Sequence, residues 1–210
     1  MLMLVIIALS ITSCNTKNQI QVGDIITFGV HEWRVLDIND GKALIISEYI
    51  IEERAYHRSH ENITWAKCSL REYLNNTFYH SDAFNDEERS KIVQTMNITE
   101  DNQWHGTGGG DPIYDRIFLL SLAEVVKYFG DSGQLDNRPP NNPTISDQYN
   151  SNRIATLNGS ACWWWLRSPG YTSLYASHVF RNGILDIYGY NVDYTSGGVR
   201  PALWLNLQGL

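Results

Sequence analysis

Polar and apolar residues alternate most clearly late in the chain. Ser177, Val179, Leu185 and Ile187 take one side of two short runs, and His178, Phe180, Asp186 and Tyr188 take the other, around Arg181-Asn182-Gly183. A period of two on either side of a glycine-containing turn predicts a β-hairpin with one apolar face and one solvated face. Further on, Val199, Pro201, Leu203 and Leu205 keep the same period, while Ala202 and Trp204 make the opposite side apolar as well. Residues 199–207 therefore read as one central strand buried on both sides. Near the start, 25–28, 33–38 and 43–47 are strand-length runs separated by Gly29 and by Asn39-Asp40-Gly41. The Asp-Gly step favours a hairpin, so these three form a meander.

Helical spacing appears between the strand regions. Ser69 with Glu72 three residues on has the form of a capping box, and Leu70, Tyr73, Leu74 and Phe78 follow on one face. Asn85 with Glu88 is a second such pair, with Asp86 and Glu87 at the positive end of a short helix that stops near Val93. Residues 117–120 are a strand-length apolar run leading to a third pair, Ser121 and Glu124. The helix after it carries Leu122, Val125, Val126 and Phe129 and is stopped by Gly130.

Three stretches lack either period. Residues 48–64, charged and holding His57 and His60, read as a surface excursion. Residues 94–113 contain Trp104, His105 and the run Gly106-Thr107-Gly108-Gly109-Gly110, which reads as a long flexible loop because glycine loses the most entropy on ordering. Residues 131–152 include Arg138-Pro139-Pro140-Asn141-Asn142-Pro143 and form a second long loop, of a length that more often serves function than idles. No internal repeat is present. The pattern predicts one α+β domain over 20–210, with a mostly antiparallel sheet, two to three helices and long loops.

The first residues follow a different logic. Residues 2–11 are apolar, and Ile11-Thr12-Ser13-Cys14 has the form of a lipobox. Residues 1–14 thus read as a lipoprotein signal peptide with Cys14 as the lipidated residue, and 15–19 as a tether. The other reading is a short buried helix, since the run is too short to span a bilayer. No Lys or Arg precedes Cys14, so the usual basic flank is missing. The lipobox reading places the domain in the cell envelope, anchored to the membrane from outside the cytoplasm.

Composition narrows the chemistry. With 210 residues, 43% of them hydrophobic, the chain can build a substantial core. Its net charge of -7 and lack of a basic cluster exclude a nucleic-acid partner. Cys68 and Cys162 suit either a disulfide or two free thiols. Ser168 lacks a nucleophile elbow, and the glycine run lacks the Lys-Ser/Thr of a phosphate loop. His57 and His60, three apart, have no third partner to make a metal site, so neither metal nor cofactor is expected. In Trp163-Trp164-Trp165 two rings must point one way and one the other, which places them in the core with Arg167 ion-paired nearby. Tyr171, Tyr175, Tyr188, Tyr190 and Tyr194 instead lie in turns or on the polar face of the hairpin. With His178, Asp186 and Asn191 they are the candidate ligand contacts, tyrosine giving rigid contact area at low entropic cost. The alternative is ordinary packing between loops.

The segments W-W-W-L-R-S-P-G and G-V-R-P-A-L-W-L-N-L, with T-F-G-V-H-E-W-R-V-L-D-I, T-W-A-K-C-S-L-R-E-Y-L-N and S-L-A-E-V-V-K-Y-F-G-D-S-G-Q-L before them, resemble a family of bacterial lipoprotein domains of unknown function. Such families are grouped with the C-type-lectin-like superfamily. The resemblance implies a mixed α/β domain whose first and last strands pair, and an irregular region able to carry a ligand site. The calcium signature of that superfamily, an E-P-N or Q-P-D loop with W-N-D, is replaced here by R-P-P-N-N-P and W-W-W. Formylglycine-generating oxidases share the superfamily but use a close cysteine pair, where this chain has Cys162 alone. The expected function is therefore a non-enzymatic, lipid-anchored module that binds a protein or glycan at the cell exterior. The alternatives are an enzyme on the oxidase-like scaffold or a structural envelope protein.

Overall fold

The computed structural model of the protein describes residues 19–140 and 142–208, so Cys14 and its lipobox, with most of the tether, lie outside the described residues. Two larger sheets meet over one core, with two-stranded pairs Thr95–Asn97/Ile113–Asp115 and Ala155–Leu157/Ser160–Cys162 beside them. The first runs in the order Ile25–Phe28, His31–Asn39, Lys42–Ser47, Ala202–Asn206, Ile92–Val93 and is antiparallel throughout. The meander forms where the alternation predicts it. Asp40 and Gly41 take positive φ values of 49° and 70° in its second turn, a conformation an Asp-Gly pair adopts at low cost. Across this sheet the early meander pairs with the late strand, Leu203 opposite Ile45.

The second sheet runs Glu52–Glu53, Gly198–Val199, Trp164–Pro169, Tyr175–Val179, Leu185–Asn191, Thr144–Ile145. Only the pair between Trp164–Pro169 and Gly198–Val199 is parallel. Residues 199–207 are therefore not one strand. Val199 ends a strand of the second sheet, Arg200 and Pro201 cross between sheets, and Ala202 begins a strand of the first. Proline has no N–H to give a ladder, which marks the position where the chain changes sheets.

Four α-helical segments lie among the described residues: Ser69–Tyr73, Asp86–Lys91, Leu122–Phe129 and Asn150–Arg153. The second and third have both halves of their capping boxes, through Asn85 with Glu88 and Ser121 with Glu124. At the first the cap lies one residue earlier than the sequence suggests. The sulfur of Cys68 accepts from the Arg71 N–H at 3.4 Å, Glu72 is exposed, and the helix continues as a π turn over Leu74–Phe78. Residues 117–120 are fully buried but make one bridge, Phe118 to Ala202, rather than a strand.

Two loop expectations are corrected. Residues 48–64 are not a surface excursion: Glu52–Glu53 is an edge strand, and Ile50, Tyr56 and His57 are buried. Tyr56 donates to the Arg167 carbonyl at 3.0 Å. His57 Nδ1 accepts from the Ser69 N–H at 3.1 Å, and its Nε2 lies 2.8 Å from Glu61. The glycine run of 94–113 is packed rather than loose. A Cβ on Gly109 would lie 1.9 Å from the Thr99 carbonyl oxygen, so only glycine fits there. In 131–153, Arg153 and Asp147 make a buried ion pair at 3.0 Å. Cys68 and Cys162 are both free thiols, which leaves the disulfide unformed.

The architecture is thus α+β with mostly antiparallel sheets. The Trp164–Pro169 strand lies at the centre of the second sheet and carries the hairpin that holds the candidate site.

Candidate functional site

The hairpin forms as predicted, from Tyr175–Val179 and Leu185–Asn191, with Gly183 at positive φ in its turn. Its two faces differ less than the sequence implies. Val179 and Leu185 pack on one side with Trp164. On the other, His178 is only 2% exposed and Asp186 8%. Neither is a solvated ligand contact, and this corrects the expectation of a polar outer face. Trp165 pairs with His178 across the sheet, and Trp163, Trp165 and Phe180 ring the imidazole at centroid distances of 5.0, 6.3 and 4.6 Å. The tryptophans supply a second apolar layer that hides the polar face.

Burial sets the charge state of this pair. The His178 imidazole is pushed down to about 3 and the Asp186 carboxyl up to about 6, both because the charged form loses water. His178 Nε2 stands 3.8 Å from Asp186 Oδ2, beyond hydrogen-bond reach, and with the ring neutral the two are not an ion pair at pH 7. Asp186 Oδ1 instead accepts from the N–H groups of Tyr188 at 2.9 Å and Gly189 at 3.2 Å. Its role is to fold the strand around Gly189, whose φ is +87° and where a Cβ would lie 2.6 Å from the Ala176 carbonyl.

The tyrosines form two ring groups, one on each side of Gly189 in sequence. Tyr171 and Tyr188 stack with centroids 4.9 Å apart and planes 2° from parallel, and Tyr175 meets Tyr188 edge-on at 5.6 Å. Tyr190 and Tyr194 meet at 4.7 Å, and Trp163 lies 5.8 and 6.1 Å from them. Tyr171, Tyr188, Tyr190 and Tyr194 are all exposed, Tyr175 and Asn191 half-buried. Asn191 pairs with Tyr175 across the strands, and its Oδ1 is buried without a partner.

Two members were missed from sequence. Trp163, expected in the core with its neighbours, is half-buried and joins the second group. His105 stands edge-on to Tyr171 at 5.0 Å and to Tyr188 at 5.9 Å. Burial, then the nearby Arg138, lowers its pKa, which leaves it neutral. No pattern around His105 signals this. Its place follows from Asn102, buried three residues earlier, whose Nδ2 donates to the carbonyls of Pro169 and Ile187 at 2.9 Å each. Thr107 Oγ1 adds a hydrogen bond to the Tyr171 carbonyl at 2.7 Å.

Other groups considered for chemistry are occupied structurally. Ser168 Oγ accepts from the Leu122 N–H at 3.0 Å. Burial pushes the Cys68 thiol up to about 12 and also raises that of Cys162, so neither is activated as a thiolate. His60 is 3.2 Å from Asp193 and separate from His57. Among the described residues no three His, Cys, Asp or Glu side chains are grouped to hold a metal ion.

A family model described as a domain of unknown function, DUF6273, matches residues 40–207. The chain belongs to this family. The matched span includes both ring groups of this DUF6273 domain and the Asn102 anchor, while the first two strands precede it. No curated protein and no solved structure matches the chain.

Proposed function

We propose that this DUF6273 domain is a non-enzymatic binding module of the cell envelope, anchored through Cys14 and taking a protein or glycan ligand on its exposed rings. The observation that carries this is the placement of Tyr171, Tyr188, Tyr190 and Tyr194, all exposed, in two ring pairs on the Leu185–Asn191 strand and the turns flanking its hairpin. Rigid rings with hydroxyl tips supply contact area without freezing many torsions, and interface energy concentrates on such anchors. The packed partners His105, Tyr175 and Trp163 hold them in place before a ligand arrives, which lowers the cost of binding. A C-type-lectin-like assignment of the fold belongs to this same proposal and rests on the motifs in residues 162–207.

The test is co-sedimentation of the protein with isolated cell envelopes, before and after protease or glycan-hydrolase treatment. A Cys14→Ser protein, which carries no lipid, should sediment through its rings, and the treatment that abolishes this names the ligand class. In that background, paired Tyr171→Ala/Tyr188→Ala and Tyr190→Ala/Tyr194→Ala variants should remain in the supernatant while folding normally. Sedimentation of both paired variants like their Cys14→Ser parent refutes the ring site. The anchor is tested separately: on phase separation in Triton X-114, wild type from its native host should enter the detergent phase and Cys14→Ser the aqueous phase.

A further inference from the structure

Away from the rings, a cleft of about 390 Å³ opens between the first sheet and the helical side of the domain, within the size range of small-ligand sites. Val35, Leu36, Phe129 and Ile154 give it apolar walls. The charged residues that line it are Arg34, Glu48 and Arg200.

Their arithmetic does not balance. Arg34 grips Glu48 with two prongs, Nη2 to Oε1 at 2.6 Å and Nε to Oε2 at 2.8 Å, so that carboxylate is already engaged. Arg200 is only 2% exposed and, among the described residues, has no carboxylate of its own. Its Nε donates to the Ser47 carbonyl at 3.0 Å and one Nη to the Glu48 carbonyl at 3.5 Å, while Nη1 is buried without a partner. The guanidinium also lies over the rings of Trp164 and Phe129, at 5.0 and 5.4 Å. Burial lowers its pKa to about 10, which leaves it charged at neutral pH. A buried cation with a free donor is costly unless an anion completes it. Asp37, which bonds to Tyr128 at the cleft, is taken up by Lys127 at 3.5 Å and does not supply that anion.

We propose that this cleft binds a small organic carboxylate, its charged end on Arg200 with Arg34 at the rim and its apolar part against Phe129 and Ile154. The planar guanidinium fork suits a carboxylate, and the single excess positive charge suits a monoanion. The site is separate from the ring groups and does not depend on them.

The test uses the full-length protein in mild detergent, with butyrate and benzoate against butyramide and benzamide at constant ionic strength, read as Tm and tryptophan fluorescence. A saturable rise in Tm is expected with the acids and not with the amides, up to about 50 mM ligand. Arg34→Gln removes the excess charge from the cleft and should weaken acid binding about tenfold or more, whereas Glu48→Gln raises that charge and should tighten it. Both positions are partly exposed, so these variants report on the cleft even where Arg200→Met fails to fold. Equal responses to acid and amide overturn the proposal, as do no response to any acid or an Arg34→Gln variant that responds like wild type. Inorganic phosphate binding more tightly than the acids also overturns the carboxylate assignment.

Discussion

The carboxamide of Asn102 donates to the carbonyl of Ile187 at 2.9 Å, across 85 residues of sequence. The same nitrogen reaches Pro169, and Asn102 Oδ1 accepts from the Trp104 N–H at 3.0 Å. One buried side chain thus ties the glycine-rich loop to two strands. An Asn102→Ala variant strands buried carbonyl groups and should lose about 2–3 kcal/mol in urea unfolding. The loop should become a protease target, with cleavage within 103–110. A loss under about 0.5 kcal/mol, or an unchanged digest, contradicts this role.

Glu124 serves two partners at once. Its Oε2 accepts from the Ser121 N–H at 2.9 Å as half of a helix cap, and its carboxylate pairs with both terminal nitrogens of Arg167, itself 2% exposed. Glu124→Ala should cost about 3–5 kcal/mol, since it leaves the Arg167 charge buried and uncompensated. Glu88→Ala, at an equivalent cap without a buried arginine, should cost about 1 kcal/mol. Similar losses for the two, by thermal melting, contradict the double role.

Regular periodicity made much of this legible. The meander, the hairpin and the helix beginning at Leu122 all follow from period and turn residues, because those patterns are local consequences of backbone geometry. What was not legible depended on a second layer. His178 and Asp186 have the spacing of a solvated face, and only the packing of Trp163 and Trp165 over them shows that face to be covered. His105 reaches the tyrosines because Asn102 bonds to strands far away in sequence, which no local pattern encodes. Residues 199–207 read as one strand because Arg200 and Pro201 leave the two-residue period unbroken, while in space they lead from one sheet to the other.

The buried pair gives a pH signature with two opposed signs. His178 falls from 6.5 to about 3 on folding, so its stabilising contribution is complete above about 6.5 and is lost as pH falls toward 3. Asp186 rises from 3.8 to about 6, so its contribution is complete below 3.8 and is lost as pH rises through 6. In Asp186→Asn the second term vanishes. Its stability relative to wild type should climb from pH 4 to 6 by up to about 1.4 kcal/mol per unit. For His178→Phe, stability relative to wild type should climb in the opposite direction, as pH falls below 6.5. Denaturant titrations at several pH values check both slopes. Parallel curves for wild type and either variant contradict the burial of that group.

The hairpin carries both scaffold and surface positions. Val179 is 0% exposed and Tyr190 42%. Val179→Asp buries a charge with no partner and should abolish folding, because the cost approaches the stability of a whole domain. Tyr190→Ala should lower stability by about 1 kcal/mol through lost contact with Trp163 and Tyr194. Circular dichroism melts distinguish them. A Tyr190→Ala variant that unfolds like Val179→Asp makes the ring a core element.

The crossing at Arg200 and Pro201 has a temporal meaning as well. Gly198–Val199 sits between Glu52–Glu53 and Trp164–Pro169, and Ala202–Asn206 between Lys42–Ser47 and Ile92–Val93. Neither sheet is continuous until these two strands have emerged from the ribosome. Contacts made only between distant parts of a chain form late, so this domain completes its tertiary structure only once residues 198–206 have been synthesised. A fragment ending at residue 197 should therefore remain protease-sensitive throughout its length.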